Sequence, residues 1–200
     1  MEEIYSSLVK GVRKPTKHKV ALFLCGAAGT GKTTSKYKFL YDSKIRTSFV
    51  VLNVDDMREL VGSQEKARSV LSYATERVIK EGYSFLYDGT CRDKTNVLKM
   101  MEHVKSLGYK TILGITYTPL RTALQRISKR VNQPLSEEVA RDIYKHLTKN
   151  IETYMDEPSI DEIYLYNNEH TSKLIFTRKD KTIQCITPES AFYFDVSKYC

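Results

Sequence analysis

Gly26, Gly29, Gly31, Lys32 and Thr33 fall at the spacing G-x-x-x-x-G-K-[ST] within Gly26-Ala27-Ala28-Gly29-Thr30-Gly31-Lys32-Thr33. That spacing describes a loop that cradles phosphate. Its glycines let the backbone take left-handed turns and bring N–H groups against phosphate oxygens. Lys32 sets a flexible ammonium on the β- and γ-phosphates, and the Thr33 hydroxyl is suited to ligate Mg²⁺. Residues 26–34, Thr34 included, are the expected nucleotide-binding residues, with ATP and Mg²⁺ as expected cofactors.

Phosphoryl transfer needs few further parts: a carboxylate beside the acceptor hydroxyl, and cations over the moving phosphoryl group. Asp55 and Asp56 follow the apolar run Ser48–Val54. Asp55 is expected to accept the acceptor's proton, and Asp56 to cap the helix that follows. Asp88-Gly89-Thr90-Cys91-Arg92 follows a further run, Tyr83–Tyr87. Asp88 is read as a carboxylate that holds Mg²⁺ through water, or orients an acceptor hydroxyl or an arginine; an Asp before Gly also suits a plain turn. Arg126 and Arg130, one helical turn apart, suit a lid that closes over the phosphates and excludes water.

These residues need a scaffold, and the pattern of runs supplies one. Residues 18–25, 48–54, 83–87, 110–117 and 160–166 read as strands. Between them, apolar residues recur at helical spacing: Ala67, Val70, Leu71, Ala74 and Val78; then Val97, Leu98, Met101 and Val104; then Leu120, Ala123, Leu124 and Ile127. Val139, Ile143, Leu147 and Ile151 mark one more helix, after a break at 131–136 that contains Pro134. Residues 172–177 and 182–186 read as a small hairpin. The expectation is an α/β, three-layer P-loop NTPase/kinase fold with a mainly parallel central sheet and a small C-terminal β-hairpin. Its ligand site should lie at the carboxyl ends of the strands. Residues 1–17 read as a leader packed beside the first strand, and 18–200 as the P-loop kinase domain.

Bulk composition narrows the classes. A hydrophobic share of 41% beside 28% charged residues is ordinary for a globular domain, and 200 residues suffice to bury a core. No run approaches the length of a membrane span, and the start Met1-Glu2-Glu3 lacks the pattern of a signal peptide, so the expected place is cytoplasmic. Cys25, Cys91, Cys185 and Cys200 lack metal-ligand spacing and read as reduced thiols. A net charge of +8 suits an anionic partner, either a phosphorylated small molecule or a nucleic acid.

Together, the phosphate loop, Asn53-Val54-Asp55, Asp88-Gly89-Thr90-Cys91-Arg92 and Tyr164-Leu165-Tyr166-Asn167 resemble the zeta-toxin group of P-loop kinases. The resemblance runs from about residue 18 to 180. Members of that group move the ATP γ-phosphate to the 3′-hydroxyl of the sugar in UDP-N-acetylglucosamine. It implies Asp55 as base, Lys32 and Thr33 on phosphate and Mg²⁺, and Asp88, Thr90 and Arg92 at the acceptor. Arg126 and Arg130 would stabilise the moving phosphoryl group, and an antitoxin-like protein is an implied partner. Zeta toxins usually carry Glu where Asp88 stands and Gly where Cys91 stands, and their acceptor pocket draws on insertions after the second strand. The segment between Arg58 and Glu65 is short here.

A second resemblance is to phage-type polynucleotide 5′-kinase, through Asn53-Val54-Asp55-Asp56-Met57-Arg58 and Arg126-Ile127-Ser128-Lys129-Arg130. It implies that Arg58 grips a substrate phosphate and that the acceptor is a nucleic-acid 5′-hydroxyl. A third reading, a P-loop regulatory ATPase without an acceptor, fits less well, because no apolar strand ends in an Asp dedicated to hydrolysis.

Overall fold

The computed structural model describes residues 1–129 and 135–187. Five apolar runs form parallel strands: β1 (Lys19–Cys25), β2 (Val50–Asn53), β3 (Phe85–Gly89), β4 (Tyr109–Tyr117) and β5 (Glu162–Asn167). β1 and β4 are apolar without alternation because both faces of the sheet are covered. The antiparallel strands β6 (Lys173–Lys179) and β7 (Thr182–Cys185) complete one seven-stranded sheet of order β2-β3-β1-β4-β5-β6-β7. The C-terminal hairpin therefore extends an edge of the central sheet.

Seven helices accompany the sheet in the described residues: α1 (Glu2–Val9), α2 (Lys32–Asp42), α3 (Val54–Val61), α4 (Gln64–Lys80), α5 (Lys94–Ser106), α6 (Leu120–Ser128) and α7 (Glu137–Asp156). Neighbouring residues of β1 face opposite layers. Leu22 and Leu24 pack with Phe39 of α2 and with Tyr164 and Tyr166 of β5. Ala21, Phe23 and Cys25 join buried residues of α4, α5 and α7. This is the expected three-layer arrangement, with β1 at the centre and its carboxyl end feeding the phosphate loop.

Three local expectations change. Asp56 does not cap α3. The helix starts at Val54, so the extended Asn53 takes that role, and its side chain accepts N–H bonds from Asp55 and Asp56 at 2.7 and 3.3 Å. Within residues 1–17, α1 meets β2 and docks on α4, where Glu2 accepts from Tyr73 at 2.6 Å and from Arg77 at 2.8 Å. Tyr5 is buried with its ring edge-on to Tyr73 and under the Arg77 guanidinium. On α7, Val139 is 40% exposed and Ala140 is buried in its place, because the apolar stripe of this long helix shifts by one residue in its first turn.

The third change concerns the thiols. Cys25 and Cys91 form a disulfide across Cα atoms 5.3 Å apart, so they are not the reduced pair expected from the sequence. Parallel pairing of β1 with β3 sets Cys25 opposite Gly89, and the chain then turns Cys91 back toward Cys25. A sequence separation of 66 hides such a pair from any local pattern. Cys185 is disulfide-bonded too.

Candidate active site

Between β1 and α2 the loop holds left-handed turns at Gly29 (φ 78°) and Gly31 (φ 82°), which only glycine takes without strain. A Cβ on Gly26 would meet the Thr30 hydroxyl at 2.7 Å and Lys32 Cγ at 2.8 Å, so the loop closes tightly on itself. Lys32 Nζ donates to the Gly26 carbonyl at 2.8 Å. That bond curls the ammonium over the loop, where a phosphate would be held. The N-terminus of α2 adds backbone N–H groups and a positive dipole end.

Two elements brace the loop from the far side of β1. Asn168, just past β5 and buried, donates through Nδ2 to the carbonyls of Thr30 (2.8 Å) and Gly31 (3.2 Å). Its own N–H donates to the Tyr117 carbonyl at 2.7 Å, which ties it to the end of β4. A Cβ on Gly31 would collide with that Asn168 amide, and one on Gly29 with the Ala123 carbonyl of α6. From α6, Arg126 donates to the Gly29 carbonyl at 3.3 Å and to the Glu169 carbonyl at 2.8 Å. Arg126 has no carboxylate partner among the described residues. Its two hydrogen bonds to carbonyls hold that positive charge beside the phosphate loop. Arg130 lies outside the described residues.

On the other side of the loop stand the carboxylates. Asp88 is the penultimate residue of β3, level with Leu24 of β1 and Asn53 of β2. It is buried, and its Oδ1 has no hydrogen-bond partner among the described residues. Asp55 and Asp56 occupy the first turn of α3, where a helix dipole favours negative charge. Asp55 pairs with Arg58, one turn on, at 3.2 Å. Partial desolvation pushes the Asp56 carboxyl above its ordinary value; Lys36 of α2 opposes this, and the charges of Asp88, Glu59 and Asp55 add to it. Asp56 thus senses both the helix behind the phosphate loop and the end of β3.

An orphaned buried carboxylate oxygen asks for a cation or a donor. Asp88 and the exposed Thr33 hydroxyl are a hard-oxygen pair of the kind Mg²⁺ takes with one or two protein groups, the remainder coming from phosphate and water. The residues present fit that ion bound with a nucleotide. No group of three or more His, Cys, Asp or Glu side chains suited to a metal occurs among the described residues.

Thr90 and Arg92 follow Asp88 onto a loop that α7 fixes. Tyr154 donates its hydroxyl to the Cys91 carbonyl at 2.9 Å, and Asn150 donates to the Arg92 carbonyl at 2.8 Å. The Arg92 side chain enters an open groove of about 320 Å³ shared with Asp93, Asp142 and His146, and its guanidinium lies 3.8 Å from Asp142. Asn168, Asn150, Tyr154, Asp142 and His146 escape sequence reading because they belong to no spaced motif. For Asn168 a signal exists: it is a polar residue immediately past the carboxyl end of a strand, where ligands of such sheets bind.

A family model described as Zeta toxin matches residues 6–180. No curated protein matches the chain significantly. Among solved structures, one similar chain comes from the PezAT chromosomal toxin–antitoxin system of Streptococcus pneumoniae. It has a TM-score of 0.68 and 18% identity, over 86% of this chain and 77% of that one. A chain of the AvrRxo1-ORF1:-ORF2 complex solved with ATP has a TM-score of 0.67 and 16% identity, over 95% of this chain and 66% of that one. A chain of the Pnkp1/Rnl/Hen1 RNA repair complex has a TM-score of 0.53 and 20% identity, over 69% of this chain and 47% of that one. At these identities the likenesses show a shared fold. No helix among the described residues is long and apolar enough to cross a membrane.

Proposed function

The chain belongs to the zeta-toxin family, and from that membership we propose an ATP- and Mg²⁺-dependent kinase that phosphorylates a hydroxyl of a small, nucleotide-linked acceptor. UDP-N-acetylglucosamine is the first acceptor to test. One observation carries the reading. Arg126, without a carboxylate partner among the described residues, donates to the phosphate loop at Gly29, while Asp55, Asp56 and Asp88 gather at the carboxyl ends of β2 and β3, on the β3 side of β1. Cations beside the phosphates and a base toward the acceptor are the division that phosphoryl transfer requires.

In this reading Gly26 to Thr34 hold the triphosphate, and Lys32 leaves the Gly26 carbonyl for the phosphates. Thr33 and Asp88 would hold Mg²⁺, which when bound supplies positive charge against the phosphate oxygens. Asp55, paired with Arg58, orients the acceptor hydroxyl and takes its proton. Thr90 and Arg92 bind the acceptor. Arg126 supports the charge of the moving phosphoryl group, and Arg130 shares that task. A protein partner of antitoxin kind is part of the proposal, in keeping with the toxin–antitoxin system named for one similar structure.

A second reading, polynucleotide 5′-hydroxyl kinase, is favoured by Arg58 beside Asp55 and by the net charge of +8. Transfer from γ-labelled ATP with Mg²⁺, offered UDP-N-acetylglucosamine and a 5′-hydroxyl oligonucleotide in separate tubes, separates the two. Label on the sugar nucleotide is the expected result. Label on the oligonucleotide alone establishes the second reading, and released phosphate alone points to a regulatory ATPase. Lys32→Ala should abolish whichever activity appears; an unimpaired variant would remove the phosphate loop from the chemistry.

A further inference from the structure

Cys25 is the last residue of β1, immediately before Gly26 of the phosphate loop, and it is fully buried. Cys91 sits between Thr90 and Arg92 on the loop after β3, and only 4% of it is exposed. Their disulfide joins the strand that carries the nucleotide loop to the loop proposed to bind the acceptor. Cys91 also adopts φ 50°, a left-handed conformation that a residue with a side chain rarely takes. Such a conformation persists where its surroundings over-determine it. Here the surroundings are identifiable: the covalent bond to Cys25 on one side, and the Tyr154 and Asn150 hydrogen bonds from α7 on the other. The turn at Cys91 sets where Arg92 emerges, and Arg92 emerges into the groove with Asp93, Asp142 and His146.

We infer that the Cys25–Cys91 pair is a redox-sensitive positioning device: the disulfide holds the 90–92 loop ready for the acceptor, and its reduction releases that loop. The inference rests on the acceptor reading of Thr90 and Arg92. The reductant is a thiol, such as a dithiol protein or a small monothiol. A reductant thiolate attacks one sulfur, the S–S bond breaks, and the departing cysteine thiolate takes a proton. A second reductant thiol then displaces the cysteine from the mixed disulfide. Two cysteine thiols and one reductant disulfide result, with two electrons passed to the protein. Both sulfurs are buried, so attack requires local opening of the 90–92 loop, and a bound acceptor should slow it. Disulfides that do occur in reducing compartments tend to be of this responsive kind.

The nucleotide loop has bracing of its own from Asn168, Arg126 and Ala123. Release at Cys91 should therefore weaken acceptor binding and spare ATP binding. The test uses the full chain with Cys185→Ser and Cys200→Ser, so that only Cys25 and Cys91 respond. Oxidised and dithiothreitol-reduced protein are compared by amide hydrogen exchange over residues 89–93, by ATP affinity, and by transfer to UDP-N-acetylglucosamine. Reduction should speed exchange at residues 90–92 about tenfold and raise the acceptor KM about tenfold, with kcat and ATP affinity within about twofold. Glutathione disulfide should restore both. Cys91→Gly, which suits the left-handed turn, should fold and behave as the reduced form under either condition. Unchanged exchange on reduction overturns the inference, and so does an ATP affinity that falls together with acceptor affinity. If neither state transfers label, the acceptor reading fails on its own. The exchange ratio then decides the latch, a tenfold change upholding it and no change overturning it.

Discussion

Two adjacent carboxylates with different surroundings pose the sharpest question about single residues. Asp55 is paired with the Arg58 guanidinium, whereas Asp56 is pushed up by desolvation and by its acidic neighbours. A base must be ionised before transfer, so the roles divide in favour of Asp55. Asp55→Asn should slow transfer by ~10²-fold or more while ATP affinity stays near that of the parent. Asp56→Asn should cost less, since its raised proton affinity suits a group that tunes the site rather than one that takes the proton. Rates of transfer for the two variants, beside nucleotide binding by titration, check the assignment. A crippled Asp56→Asn with a near-normal Asp55→Asn would reverse it. The spacing of Asp55 from Arg58 was legible in the chain, because one helical turn brings i and i+3 together. The capping role was not, because Asn53 outcompetes Asp56 only once the helix start is known.

Among elements, the phosphate loop shows both what pattern reveals and what it hides. A buried strand, a glycine-spaced loop and a helix in succession need only neighbours in sequence, and β1, residues 26–31 and α2 appear as expected. The brace that keeps the loop in shape comes from 137 and 138 residues away in Asn168, and no local period reports it. The same holds for the disulfide, and for the hydrogen bonds that bolt the 90–92 loop to α7. Asn168→Ala removes two donor contacts and leaves the Thr30 carbonyl without this buried partner. Losing such a bond costs about 1–3 kcal/mol, so ATP affinity should fall about tenfold or more. The sheet should survive, because the Asn168 N–H still pairs with Tyr117. Calorimetric titration with ATP, with the melting temperature of the apo variant as companion, separates loop damage from general unfolding. Unchanged ATP affinity would mean that the loop holds its shape without β5.

At the scale of the whole molecule, β2 is an edge strand, yet Asn53 at its end positions Asp55 and Asp56. An edge strand of four residues has little pairing of its own. It is backed by α4, on which α1 packs through Tyr5, Tyr73, Arg77 and Glu2. The first helix therefore contributes Tyr5 to the core. Its place was not legible, because its partners lie some 70 residues on and a short helix carries no signal of which surface it will cover. Removing residues 1–12 uncovers the Tyr5 site, and burying a side chain of that size contributes about 2–3 kcal/mol. For a domain of this size that loss should lower the melting temperature by about 5–10 °C. Turnover well below the new melting point should change little, because the contacts of α1 run to α4 and β2. Thermal unfolding of the truncated chain, with its transfer rate at low temperature, tests both halves. An unchanged melting temperature would return α1 to the status of a leader. A collapse of turnover in a still-folded protein would show that support of β2 reaches the carboxylates.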